Sequence, residues 1–144
     1  MLVYPFEHRS LREYSKQPNS LFEIQRVLYQ VLKGISVCHR AGIIHRNLKS
    51  DNILIGEYGL VKISDFAASR ISSIPIGCYT PEDPKERDRS GREARRLWYR
   101  APELLYRAKC YTFETDIWSI GCLLAEFARG APLFNGQSEI ESLF

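Results

Sequence analysis

An α+β fold, mainly helical with one short β-hairpin, is what this sequence predicts, and three observations carry the prediction. From Leu21 onward, Ile24, Leu28, Val31, Leu32 and Ile35 recur every three to four residues and give one apolar face of a long helix. Two short apolar runs, Asn52-Ile53-Leu54-Ile55 and Leu60-Val61-Lys62-Ile63, are separated by Gly56-Glu57-Tyr58-Gly59, which is a hairpin pattern. Glu114 to Arg129 is apolar nearly all round, through Ile117, Trp118, Ile120, Leu123, Leu124 and Phe127, the pattern of a helix at the centre of a domain.

Taken in order, Met1 to Phe6 has the look of the end of a strand, stopped by Pro5. Ser20-Leu21-Phe22-Glu23 has the spacing of a capping box and opens the first long helix, with Gly42 as its stop. The hairpin follows, and Asp65 stands directly after its second strand. Residues 66 to 100 show no sustained period. From Pro81 to Arg100 basic and acidic residues are densely mixed, which favours a solvated loop over a binding patch. Gly130 and Pro132 end the last helix.

Bulk properties set limits on function. The chain has 144 residues, 44% hydrophobic and 26% charged, the make-up of one ordinary globular domain. A formal charge of +3 gives no argument for nucleic acid or a membrane surface as partner. Cys38, Cys78, Cys110 and Cys122 are far apart with no C-x-x-C pair, so neither zinc nor a disulfide framework is indicated. Cys38 and Cys122 lie in apolar helical runs and are expected to be buried, inert thiols. Ile117 to Phe127 is too short to span a bilayer, and the N-terminus lacks the order of a signal peptide. A cytoplasmic or nuclear location is expected.

Four motifs stand in order: His45-Arg46-Asn47-Leu48-Lys49-Ser50-Asp51-Asn52, then Asp65-Phe66-Ala67, then Trp98-Tyr99-Arg100-Ala101-Pro102-Glu103, then Asp116-Ile117-Trp118-Ser119-Ile120-Gly121. Together they resemble the large lobe of a eukaryotic serine/threonine protein kinase. The Trp-Tyr-Arg-Ala-Pro-Glu wording and the run from Pro132 to Ile140 are most similar to the cyclin-dependent branch. The resemblance covers residues 1–144 as a partial kinase domain. Residues 1–10 resemble the last small-lobe strand and hinge, residues 11–144 the large lobe, and the rest of the small lobe is expected to be absent.

The resemblance implies transfer of a phosphoryl group from ATP to a protein Ser or Thr, with Mg2+ as cofactor and possible association with a cyclin-like subunit. Nucleotide contacts fall to Tyr4, at the back of the pocket, and to Phe6, Lys49, Asn52 and Asp65. Asn52 and Asp65 match the magnesium ligands, and oxygen ligands suit that ion; both are also common turn formers. Lys49 matches the lysine on the transferred phosphate. His45 is expected to pack against Phe66, not to catalyse, and Asp116 to accept bonds from the loop backbone. Arg46 resembles the arginine that pairs with a phosphorylated activation loop, for which Ser72, Ser73, Thr80 and Ser90 are candidates.

Departures from the pattern matter as much. The catalytic base position carries Asn47, nearly the shape of Asp but unable to take up a proton near neutral pH. Loss of a general base typically costs ~10²–10⁴-fold in rate. Ala67 replaces a glycine, at ~1 kcal/mol if that position needs positive φ. Arg96 replaces the Thr that bonds the base and the loop lysine, and no G-x-G-x-x-G occurs. Three readings follow: an impaired or inactive pseudokinase acting as a binding module for a protein partner, an active ATP-dependent kinase when part of a longer chain, or a truncated product whose bared apolar cleft invites aggregation.

Overall fold

The computed structural model describes residues 9–17, 19–71, 97–106, 112–138 and 141. Strand β1 (Arg9–Ser10) leads into a single-turn helix α1 (Leu11–Tyr14), capped by Ser10 and Glu13 in a reciprocal capping box. Helix α2 (Leu21–Arg40) begins the same way, with Ser20 Oγ accepting from the Glu23 N–H and Glu23 Oε2 accepting from the Ser20 N–H. It ends where Gly42 turns to φ 74°.

Strands β3 (Ile53–Ile55) and β4 (Val61–Ile63) form the expected hairpin, in the register Ile53 to Ile63 and Ile55 to Val61. Its turn places Tyr58 and Gly59 at φ 57° and 73°. Two pairings carry no sequence signal. Strand β1 joins β3 to make a three-stranded antiparallel sheet, and β2 (Ile43–Ile44) pairs with β5 (Arg70–Ile71). A four-residue helix α3 (Pro102–Leu105) and the long helix α4 (Glu114–Arg129) complete the described elements.

The core lies between α2, the hairpin and α4. Ile24, Val27, Leu28, Val31 and Ile35 of α2 pack with Leu48, Ile53 and Ile55, and with Ile120, Leu123 and Phe127 of α4. Gly34 is not a weak point in the helix, because a Cβ there would lie 2.9 Å from Ile63 Cδ1; its absence lets β4 approach. Two expectations are corrected. Leu21 is 70% exposed and Leu32 46%, with Val27 buried in their place, because the face toward the core is narrower than the period suggested. Helix α4 is two-sided: Ile117, Trp118 and Leu124 are exposed, whereas Thr115, Asp116, Ser119 and Glu126 are buried. Its polar side chains point inward because each has a partner there: Asp116 and Glu126 accept from the loop between His45 and Asn52, and Ser119 and Thr115 donate to the carbonyls of Tyr99 and Thr112.

Candidate functional site

The start of the loop from His45 to Asn52 is held from below by the Asp116 carboxylate. Asp116, fully buried at the start of α4, accepts from the His45 N–H at 2.9 Å, the Arg46 N–H at 2.8 Å and His39 Nε2–H at 2.8 Å. Arg46 has φ 67°, a conformation that costs a non-glycine residue roughly 1–2 kcal/mol. The bond to Asp116 offsets that strain and fixes the bend of the loop. The anchoring expected of Asp116 is therefore observed, and His39, at the end of α2, is a partner that the sequence did not flag.

His45 is fully buried, with its ring edge-on to Phe66 at 4.5 Å and 65°. Nε2–H donates to the Ser64 carbonyl at 3.0 Å, and Nδ1 accepts from the Asn47 N–H at 3.3 Å. Only the neutral imidazole with its proton on Nε2 satisfies both bonds. Burial lowers its pKa, against the opposing pull of Asp116. The structural placement expected for His45 holds.

The residues at the mouth of the loop come together around Asp65. Asn47 is buried, and its Nδ2–H donates to Asp65 Oδ2 at 2.7 Å. Asn52 Nδ2 donates to the Asn47 carbonyl at 2.8 Å and, more weakly, to the same Asp65 oxygen at 3.4 Å. Asp65 adopts left-handed backbone, φ 62° and ψ 67°, which Asp tolerates better than most residues. Its base is fixed by the Ser64 N–H and Oγ–H, which both donate to the Asn52 carbonyl. Ala67, by contrast, does not have positive φ. The expected strain from replacing glycine does not arise here; the left-handed residue is Asp65, two positions earlier. Lys49, half-buried, opens the 3₁₀ turn Ser50–Asn52 and borders a crevice with about 10 Å³ of room, between Asn47, Tyr99 and Arg100.

A second polar cluster fastens α1 and α4 to this loop. Glu126, buried on α4, accepts from Tyr99 Oη–H at 2.5 Å and Ser50 Oγ–H at 2.9 Å. Arg12 of α1 reaches Asp51 Oδ1 at 2.9 Å and Tyr99 Oη at 3.2 Å. Burial and the bond to Glu126 push the Tyr99 phenol well above its ordinary range. None of this was legible locally: the partners lie up to 87 residues apart.

For a divalent cation, the donor set is partial. Asn52 Oδ1 and Asp65 Oδ1 accept no hydrogen bond among the described residues, and the position beside them presents the Asn47 amide instead of a second carboxylate. Two oxygens suit magnesium, which keeps several waters and is commonly shared with phosphates. Among the described residues no cluster of three His, Cys, Asp or Glu side chains could hold a metal alone. No helix among them is long and apolar enough to cross a membrane.

The order of these parts, loop then hairpin then Asp65 then the anchor on α4, matches a known family. The model of the protein kinase domain matches residues 2–143. This chain belongs to the protein kinase family. It is 41% identical to cell division control protein 2 homolog 3 of Trypanosoma brucei brucei, over 99% of this chain and 43% of that relative. The kinase chain thus spans less than half the length of the curated relative it matches, and its resemblance is to the cyclin-dependent serine/threonine branch. Of the site residues expected from sequence, the structure gathers Asn47, Lys49, Asn52 and Asp65 on one loop system. Tyr4, Phe6, Arg96 and the candidate phosphosites Ser72, Ser73, Thr80 and Ser90 lie outside the described residues.

Proposed function

We propose that this chain is a cyclin-dependent-like kinase module in which phosphoryl transfer from ATP to protein Ser or Thr is strongly impaired, and that it works by binding a protein partner. One observation carries the reading: the side chain at the base position, Asn47, is spent as a hydrogen-bond donor to Asp65. An amide has no proton affinity to offer a substrate hydroxyl. Asn52 and Asp65 would hold magnesium, which, bound with ATP, supplies charge neutralisation on the phosphates. Lys49 would add a further positive charge at the transferred group. The partner in this reading is a protein, with a cyclin-like subunit among the candidates, and the location is cytoplasmic or nuclear; the similarity to a cell division control protein 2 homolog supports both.

A second reading, an active kinase within a longer chain, draws support from the intact framework. Asn52 still bonds the loop backbone at 2.8 Å, and Asp116 still holds its bend. Transfer of labelled phosphate from Mg·ATP to a protein acceptor separates the two. Asn47→Asp is expected to raise transfer by ~10²–10⁴-fold. Wild type already turning over at the rate of the variant overturns the impaired reading. If neither transfers and Mg·ATP leaves the melting temperature unchanged, the defect is in nucleotide binding and the module acts by binding alone.

A further inference from the structure

Asp65 Oδ2 is the point where the two amides of the site converge, Asn47 Nδ2 at 2.7 Å and Asn52 Nδ2 at 3.4 Å. The backbone beneath is not free to swing away, since Ser64 is tied to the Asn52 carbonyl and to His45. A carboxylate at position 47 would put two acceptors at hydrogen-bond distance with no proton between them. Such a pair separates, takes up a proton or recruits a cation. The amide removes that need.

We infer that Asn47 is a positioning residue whose amide stands in for the cation, holding Asp65 and the mouth of the loop in place without divalent metal. A base lost to substitution has become a clamp. The inference rests on the proposed reading that Asp65 and Asn52 form a metal site, and it deepens that reading. With the amide at position 47 the loop would keep its shape without metal or nucleotide and could be presented to a partner. The amide takes Asp65 Oδ2 and leaves Oδ1 to a cation, so ordering by metal is redundant here.

The test is melting of the purified chain in EDTA and in millimolar MgCl2, without nucleotide or acceptor. Wild type is expected to melt at the same temperature in both. Asn47→Asp is expected to melt about 4–8 °C lower in EDTA and to recover most of that shift with MgCl2. Asn47→Ala is expected to melt lower than wild type in both, because it loses the donor without creating a charge for magnesium to neutralise. The inference is overturned if wild type gains as much from MgCl2 as Asn47→Asp does, or if Asn47→Asp matches wild type in EDTA. Should Asn47→Asp not fold, exchange of the Asn47 side-chain amide hydrogens in wild type decides. Slow exchange in EDTA, unchanged by MgCl2, supports the clamp, and exchange at the rate of an exposed Asn overturns it. A failed clamp leaves the impaired-kinase reading on the identity of the side chain alone, since an amide at position 47 is no base whether or not it is bonded to Asp65. A failed transfer assay likewise leaves the clamp standing.

Discussion

Replacing Asp116 by Asn tests the loop's foundation with almost no change of shape. Three donors converge on the two carboxylate oxygens: Oδ2 takes the His45 N–H and His39 Nε2–H, and Oδ1 takes the Arg46 N–H. An amide keeps one oxygen. If that oxygen takes the Oδ2 place, its NH2 faces the Arg46 N–H, donor against donor. If it takes the Oδ1 place, two donors lose their acceptor. The smaller loss is therefore one buried N–H, worth about 1–3 kcal/mol. Weakening of the bonds that the negative charge had strengthened adds roughly another 1 kcal/mol. Relief of strain at Arg46 returns part of this, so Asp116→Asn should cost about 2–3 kcal/mol. For a chain of this length that corresponds to a fall in Tm of about 6–10 °C. Urea unfolding should show a lower midpoint at unchanged slope, and hydrogen exchange should show the Arg46 amide losing protection first. A variant within about 0.5 kcal/mol of wild type, with the Arg46 amide still protected, would refute the account of the anchor.

The second polar cluster predicts that Tyr99→Phe, which removes the bonds to Glu126 and Arg12, costs about 1.5–3 kcal/mol in urea unfolding. Cys122, buried with its thiol pushed up to about 11, should resist thiol reagents near neutral pH in the folded chain and react once urea unfolds it. Mass mapping of the labelled chain checks this. The His45 pKa is depressed by burial, so as pH falls below about 6.5 the unfolded chain binds its proton first, and the stability present above that pH is lost. The Tm of wild type should therefore drop between about pH 7 and pH 5.5, and His45→Gln should drop less steeply.

Features with a local cause were legible before the structure. The Ser20–Glu23 cap, the hairpin across Gly56 to Gly59 and the stop at Gly130 each depend on residues within a few positions of one another. The buried placement of His45 and the anchoring by Asp116 were legible only through the family resemblance. What stayed hidden was set by distant partners. Two-residue strands such as β1 and β5 have no periodicity to detect, and their pairing comes from tertiary contact. The polar interior of α4 was masked because Thr115, Ser119 and Glu126 look like solvent-facing residues until their acceptors and donors are in place. Asn47 was legible as a lost base. Its bond to Asp65 was not, since nothing in the sequence tells which way an amide turns.

That bond is also the centre of the account, and a double-mutant cycle between Asn47 and Asp65 measures it most directly. Unfolding free energies of wild type, Asn47→Ala, Asp65→Ala and the double variant, taken in EDTA, give the coupling between the two side chains. A buried amide donating to a carboxylate at 2.7 Å predicts a favourable coupling of about 1.5–3 kcal/mol. A coupling indistinguishable from zero would contradict it, and Asn47 would then be a vacant base position and nothing more.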